Sequence, residues 1–105
     1  MVDTNYISSI VKILESPNKI SLNKTLLGIK FRVQFPQIQN SQVVHLIFWG
    51  NLANDVSNYY QINDYIMIEG YLSVSTKYFL NRGKQNSKKF EITVLKVYPF
   101  LLSSN

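Results

Sequence analysis

Apolar and polar residues alternate most regularly between positions 27 and 35. The apolar residues are Leu27, Ile29, Phe31, Val33 and Phe35. Polar residues or glycine fill the positions between them. Side chains of a β-strand point alternately to its two faces, so this period of two predicts a strand with one buried and one solvent-exposed face. Pro36 is expected to end the strand, because proline has no N–H for a β-ladder.

Four other segments also carry strand patterns, at residues 6–15, 42–49, 65–77 and 90–98. The segment 42–49 is apolar on nearly both sides, which is typical of a central strand or of a strand with a working outer face. Gly70 lies inside the segment 65–77, where an isolated glycine predicts a bend or bulge. Pro99 is expected to close the last strand. The inner side of the segment 65–77 is predicted to carry Ile66, Ile68, Leu72 and Val74.

Between the third and fourth of these strands the spacing of apolar residues changes to that of a short helix of about ten residues. The residues at helical spacing are Leu52, Val56, Tyr59 and Tyr60. Asn51 is predicted to be the N-cap, and Asp55 is placed early in the helix, where the helix dipole favours an anion. Asn63 follows the helix and is expected in the left-handed conformation, which Asn adopts more readily than other non-glycine residues.

The predicted order of elements is therefore β-β-β-α-β-β. This order predicts an all-β fold of the OB type, a five-stranded Greek-key barrel with one short helix between strands 3 and 4. A different small barrel is the alternative. The length of 105 residues predicts a single domain, 1–105, with a core at about 5–101.

Composition excludes several classes of function. The chain has no cysteine and one histidine, His45, which excludes disulfides, thiol catalysis and zinc sites of the Cys/His kind. The six carboxylates form no motif, and the four glycines are too isolated to form a phosphate-binding loop. We therefore predict no enzymatic activity, no metal and no cofactor.

The chain is also not expected to contact a membrane. No apolar stretch reaches the length of a membrane span, and the N-terminus lacks the charge and the apolar region of a signal peptide. The protein is expected to act where it is made.

Two segments, VHLIFWGNLANDV at 44–56 and INDYIMIEGYL at 62–72, resemble bacterial-type single-stranded DNA-binding proteins. The Glu69-Gly70 pair, and its spacing from the aromatic-glycine turn at Trp49-Gly50, are the most specific match. The resemblance extends loosely over residues 5–101. The chain is rich in Asn, Ile, Lys, Tyr and Phe, which AT-rich codons encode, so it looks most like the small members of this family in algal plastid genomes. This resemblance implies a plastid stroma location, with a bacterial cytoplasm as the alternative.

The sequence also departs from the family pattern. Arg and aromatic residues that follow the Glu-Gly pair in the family are replaced by Ser73-Val74-Ser75-Thr76-Lys77, and an aromatic residue at the start of strand 3 is replaced by Val43. The last residues, 101–105, include no acidic tip of the kind that recruits partners in bacterial members. We expect weakened DNA affinity and no acidic C-terminal tail.

Charge placement favours a nucleic-acid partner independently of the family. The net charge is +5, and the stretch between Glu69 and Glu91 holds five basic residues and no acidic one. This stretch is predicted to be the hairpin between strands 4 and 5, a loop that OB-folds use on ligands. Cations neutralise phosphates while aromatic rings stack on bases. The alternative is a solubilising hairpin. The candidate contact residues are Lys77, Phe79, Arg82, Lys84 and Lys88.

Further candidates lie on the outer sheet face. Lys30 and Arg32 alternate with the core residues of strand 2, and His45 and Trp49 lie on the outer side of strand 3. Trp49 replaces a family aromatic that stacks on a base, and Tyr71 is a further stacking candidate. For Trp49 the alternative is a core or interface position, and for His45 a plain surface position. Tyr65 and Met67 lie on the same face of the strand at 65–77 as Tyr71, and for them a subunit interface is the alternative to a DNA contact.

Together these features predict sequence-independent binding of single-stranded DNA through an electrostatic groove and aromatic stacking, in support of DNA replication or repair. The protein is expected to form a homo-oligomer, a dimer or a tetramer. Two alternatives stay open, an OB-fold assembly subunit with lost or weak DNA binding, and an RNA-binding OB module.

Overall fold

The computed structural model describes residues 5–17, 19–21, 27–36, 43–78 and 86–103. The strands are β1 (Tyr6–Ile13), β2 (Lys19–Ser21), β3 (Leu27–Gln34), β4 (Val43–Trp49), β5 (Tyr65–Tyr78) and β6 (Asn86–Leu101). The helix α1 (Gly50–Tyr59) lies between β4 and β5. Within these ranges β2 is the one strand that the pattern did not predict, and its three residues pair with β3.

Five of the strands close into a barrel. The order along the sheet is β1-β5-β6-β4-β3-β2, and a further pairing of β1 with β3 joins its two sides. All these pairings are antiparallel except that of β4 with β6. The predicted OB-fold, a five-stranded barrel with one helix after the third barrel strand, is confirmed.

The barrel interior is filled by the inward residues of the alternating strands. Phe31 and Phe48 stack there with ring centroids 5.4 Å apart. The helix packs against β3 and β4 and buries Ala53 and Val56. Tyr60 is also buried, whereas Tyr59, which the helical spacing also included, is exposed. Each fully buried large apolar side chain stabilises the fold by about 1.5–3 kcal/mol. This interior therefore holds together the sheet whose outer surface carries the candidate site.

The start of α1 differs from the prediction. The helix begins at Gly50 rather than after Asn51, and the N-cap position is Trp49, which makes no side-chain capping bond. Gly50 adopts a φ of +63°, which glycine tolerates without steric cost, so the helix begins two residues earlier than an N-cap at Asn51 would place it. Asp55 is consequently outside the first turn, which holds no acidic residue. Asn63 has the expected positive φ of 74°.

Strand β5 carries the predicted irregularity at Gly70. The register changes from Glu69 opposite Lys96 to Gly70 opposite Val94, so Leu95 of β6 is the extra residue of a bulge. A Cβ at Gly70 would lie 2.1 Å from the Thr93 carbonyl oxygen, which explains why a glycine is needed there.

Two expectations for these long strands are wrong. The sequence predicts Val74 among the inner residues, but it is exposed, because β5 and β6 continue as a two-stranded arm beyond the barrel. Strand β6 also runs through Pro99 to Leu101. Pro99 pairs with Ile66 at a second register shift, and irregular ladder positions of this kind tolerate proline.

A buried carboxylate joins the C-terminal end of the described chain to the turn before β5. Asp64 accepts hydrogen bonds from the Ser103 N–H at 2.7 Å and the Ser103 hydroxyl at 2.9 Å. Its other oxygen accepts from the Gln61 N–H at 2.9 Å. These bonds satisfy the buried carboxylate and fix the end of β6 against the barrel.

Candidate nucleic-acid interface

The outward side chains of four neighbouring strands form one surface, called here the outer face. It consists of Lys30 and Arg32 of β3, His45, Ile47 and Trp49 of β4, Glu91 and Thr93 of β6, and Tyr71 of β5. The strand register sets Arg32 opposite His45, Lys30 opposite Ile47, Ile47 opposite Thr93, and Thr93 opposite Tyr71. Residues in register point to the same side of a sheet, so the predicted site residues of β3, β4 and β5 lie together.

Trp49 is the most accessible aromatic side chain at the β4 end of the outer face. It is the last residue of β4, and 39% of its surface is exposed although Trp is usually largely buried. Its register partner is Gly28, which has no side chain to cover the indole. A partly exposed indole at the end of a paired strand can receive a stacked base.

Lys30 and Arg32 are both engaged by carboxylates. The Lys30 Nζ lies 2.8 Å from Oε2 of Glu91, and the Arg32 Nε lies 3.3 Å from Oε2 of Glu15. The same Glu15 oxygen accepts a hydrogen bond of 2.7 Å from the Arg32 backbone N–H. No pattern in the sequence predicts these pairs, because the partners are far apart along the chain. The two cations are on the predicted face, but their charge is offset there.

Tyr71 belongs to an aromatic pair that includes a residue the sequence analysis missed. Its ring meets that of Tyr6 edge-on, with centroids 5.3 Å apart. The Tyr6 hydroxyl donates a hydrogen bond of 2.6 Å to Glu69. This bond to a carboxylate is the main reason that the pKa of Tyr6 is raised to about 12. Tyr6 is an outward residue at the start of β1. An aromatic residue at an outward strand position was the feature of the sequence that could have predicted its place in this surface.

His45 lies in the middle of the outer face and is half-buried. It stands between Arg32 on one side and Glu91 on the other in the strand register. Its ring is therefore part of the polar surface of the sheet rather than of the core.

The basic hairpin falls partly outside the described residues. Phe79, Arg82 and Lys84 are among the residues that are not described. The backbone of Lys77 pairs with Ser87, and that of Lys88 pairs with Thr76, in the two-stranded arm formed by β5 and β6. This arm continues directly from the strands that carry Tyr71 and Glu91.

The outer face carries aromatic rings and ion pairs. Across the described ranges, no group of three or more His, Cys, Asp or Glu residues could hold a metal ion. Within the part of the chain that the structure describes, α1 and every other helical stretch are too short to span a membrane. Aromatic rings beside cations are the elements by which proteins hold single-stranded nucleic acids.

Comparison with known proteins identifies the family. No protein-family model matches the chain. A protein of Trieres chinensis named "Putative single-stranded DNA-binding protein ycf41" is 36% identical over 104 residues, covering 95% of this chain and 92% of that protein. The chain belongs to the single-stranded DNA-binding protein family. The relative is encoded in a plastid genome.

Solved structures of the single-stranded DNA-binding protein family share the fold. The SSB domain of a protein from Synechococcus sp. has a TM-score of 0.72 and 20% identity, with 93% of this chain and 98% of that chain covered. A small single-stranded DNA-binding protein from Streptomyces coelicolor has a TM-score of 0.79 and 15% identity, with coverages of 95% and 97%. At sequence identities this low, the two structures show that the fold is shared.

Proposed function

We propose that this protein binds single-stranded DNA without sequence preference. The observation that carries the proposal is an exposed Trp49 on the same outer face as Lys30, Arg32 and Tyr71, in a chain of the single-stranded DNA-binding protein family. Bases would stack on Trp49 and Tyr71. Phosphates would contact the cations of the outer face and of the hairpin, namely Lys77, Arg82, Lys84 and Lys88, with Phe79 as a further stacking residue and His45 as a further contact.

This mechanism explains why sequence preference is not expected. Every base has a π-face, so stacking on an aromatic ring is worth about 1–3 kcal/mol whichever base is present. Contacts to phosphates carry no sequence information either, and they make the affinity dependent on salt. The proposed role is to protect or present single strands during DNA replication or repair, without enzymatic activity, in the plastid stroma.

The first prediction is that the Trp49→Ala variant binds oligo-dT about 10- to 100-fold more weakly than the unchanged protein, because one stacked base is lost. The measurement is fluorescence anisotropy of a labelled oligo-dT of about 35 nucleotides, longer than the ~4–16 nucleotides that one OB-fold covers. Thermal unfolding of the variant confirms that the barrel still forms.

The matched control for this variant is Tyr59→Ala. Tyr59 is an aromatic residue with 62% of its surface exposed at the far end of α1, outside the outer face. The Tyr59→Ala variant should bind oligo-dT with the affinity of the unchanged protein. Equal affinities for the Trp49 and Tyr59 variants would contradict a role for Trp49 in stacking.

We also propose that the protein forms a homo-oligomer, a dimer or a tetramer. One edge of β1 pairs with β5, and within the described residues its other edge pairs with β3 at Lys12 and Ile13 alone. Open strand edges favour pairing with another chain. Half-buried Tyr65 and Met67 of β5 and exposed Tyr98 of β6 lie on the two strands that follow β1 in the sheet and supply apolar surface. Light scattering should give the mass of a dimer or tetramer, and a monomer mass would contradict the proposal.

One observation favours the second candidate, an assembly subunit with weak or lost DNA binding. The ion pairs of Lys30 and Arg32 offset two of the cations that would meet phosphates. That candidate predicts an oligomer whose thermal stability is unaffected by oligo-dT, whereas binding to the folded state would raise the unfolding temperature. Competition between oligo-U and oligo-dT would reveal an RNA-binding module.

A further inference from the structure

The two ion pairs of the outer face are built differently. Glu15 lies beyond the end of β1, and its Oε2 is held by the backbone N–H of Arg32 as well as by the guanidinium. The nearby Leu14 N–H bonds the Arg32 carbonyl at 3.0 Å, so Glu15 extends the ladder that closes β1 onto β3. Glu15 is therefore a structural partner of β3, and its backbone bond does not depend on the Arg32 side chain.

Glu91 is placed within the outer face itself. It is in register with His45 of β4 on one side and with Ser73 of β5 on the other. Its side chain retains 24% of its exposure and that of Lys30 retains 26%, so their contact of 2.8 Å is partly shielded from water. The carboxylate oxygen occupies the position from which a phosphate oxygen would accept a hydrogen bond from Lys30.

A carboxylate and a phosphate make the same kind of charge-assisted bond to an ammonium group. A phosphate that binds Lys30 must therefore displace Glu91 or share the ammonium with it. Arg32 differs because a guanidinium has five N–H donors in a fixed fork, and the ion pair with Glu15 uses Nε. The lysine is the cation of the outer face at which competition is strongest.

We propose that Glu91 is an intramolecular competitor for the DNA phosphate at Lys30 and so sets the affinity of the outer face. This inference rests on the proposed function and adds an element of regulation to that site. The competitor holds Lys30 in place without DNA, weakens binding, and lowers the number of counterions that binding releases.

The test is the affinity of the Glu91→Gln variant for oligo-dT over a range of salt concentrations. The amide keeps the size of the side chain and removes its charge. Affinity at low salt should rise about fivefold, the size expected for one partly exposed ion pair. The slope of log K against log salt should become steeper by about 0.7, the value for one more neutralised phosphate on a single strand.

The matched control is Asp55→Asn, which makes the same change of charge on an exposed position of α1, outside the outer face. It should change affinity much less than Glu91→Gln. A second control is Glu91→Gln in the Lys30→Gln background, where the gain should fall to that of Asp55→Asn, because no ammonium remains to be released.

The outcomes are separable. Equal gains for Glu91→Gln and Asp55→Asn would mean that only overall charge matters, and would overturn the proposal. A loss of affinity in Glu91→Gln would also overturn it, because Glu91 would then position Lys30 for DNA. If the unchanged protein and all variants fail to bind oligo-dT at low salt, the proposed function itself fails. Thermal unfolding of each variant excludes loss of the fold as the cause.

Discussion

Tyr6, an outward residue of β1, contacts two residues of the neighbouring strand β5, one aromatic and one acidic. Its ring contacts Tyr71 and its hydroxyl donates to Glu69. The pKa of Tyr6 is raised to about 12, first by the hydrogen bond to Glu69, then by desolvation and by the negative charge of that carboxylate. A raised pKa means that the folded state holds the phenolic proton more tightly than the unfolded chain does.

The sign of the pH dependence follows from this shift. Below the ordinary tyrosine pKa of about 10 both states keep the proton, so the contribution of the Tyr6–Glu69 bond to stability is fully present. Between about pH 10 and pH 12 the unfolded chain loses the proton first, so this contribution is lost as the pH rises through the folded pKa of about 12.

We therefore predict that Glu69→Gln lowers the pKa of Tyr6 toward 10. The measurement is an ultraviolet absorbance titration of tyrosinate, with the Tyr6→Phe variant subtracted to isolate the one residue. An unchanged pKa in Glu69→Gln would show that the carboxylate is not its cause.

Individual side chains also show which parts of the candidate site the sequence could predict. The outward positions of Lys30, Arg32 and Trp49 follow from strand alternation, and the structure confirms them. The ion pairs with Glu15 and Glu91 could not be predicted, because they depend on how distant strands align. Alternation within a strand predicts to which face a side chain points. Predicting a contact between two strands also requires knowing how their residues pair.

The strands β5 and β6 owe their shape to two bulges. At Glu69 and Gly70 the extra residue of β6 is Leu95, and exposed Leu95 and Lys96 separate the buried Val94 from the partly buried Val97. A bulge increases local twist, which helps long strands bend around a small barrel. The glycine of β5 admits the close approach of the Thr93 carbonyl.

We predict that Gly70→Ala lowers the free energy of unfolding by about 3 kcal/mol, because the new Cβ would overlap backbone that cannot move without distorting β6. Denaturant unfolding followed by circular dichroism gives this value. Gly50→Ala is the control, because apart from its chain neighbours and its own helix backbone no atom lies within 4 Å of the added Cβ, and only its φ of +63° is unfavourable.

The cost of Gly50→Ala should be about 1 kcal/mol, from the left-handed conformation alone. A loss in Gly70→Ala no larger than that in Gly50→Ala would show that the bulge can relax, contrary to the packing described here.

The sequence predicted strands better than their ends. Strand-like runs of apolar residues, with a strict period of two at 27–35, identified the five barrel strands, and the change of spacing identified α1. The three-residue β2 is too short to show a period, and its existence depends on pairing with β3. The helix start depends on a local choice between Trp49 and Asn51, which capping preferences alone assigned to the wrong residue.

The barrel as a whole presents its aromatic and basic residues on connected surfaces. Register connects Lys30 of β3 to Tyr71 of β5 through β4 and β6, and Tyr71 to Tyr6 of β1. Neighbouring strands lie about 4.8 Å apart, so this row alone extends across roughly 20 Å of sheet. That extent suits several successive nucleotides of a single strand, which supports a binding groove rather than a point contact.

The net charge of +5 acts together with this surface. Two cations of the outer face are offset by Glu15 and Glu91, so the hairpin cations are expected to supply much of the attraction for phosphates. The account therefore predicts that stacking and counterion release occur in a single binding event.

The most direct measurement is the quenching of Trp49 fluorescence by oligo-dT, titrated at several salt concentrations. Trp49 is the one tryptophan of the chain, so its emission reports on the outer face alone. The account predicts strong quenching at low salt, with log K falling linearly with log salt at a slope of about −0.7 for each phosphate neutralised. Unchanged Trp49 emission, together with no binding of the oligonucleotide at low salt, would contradict it.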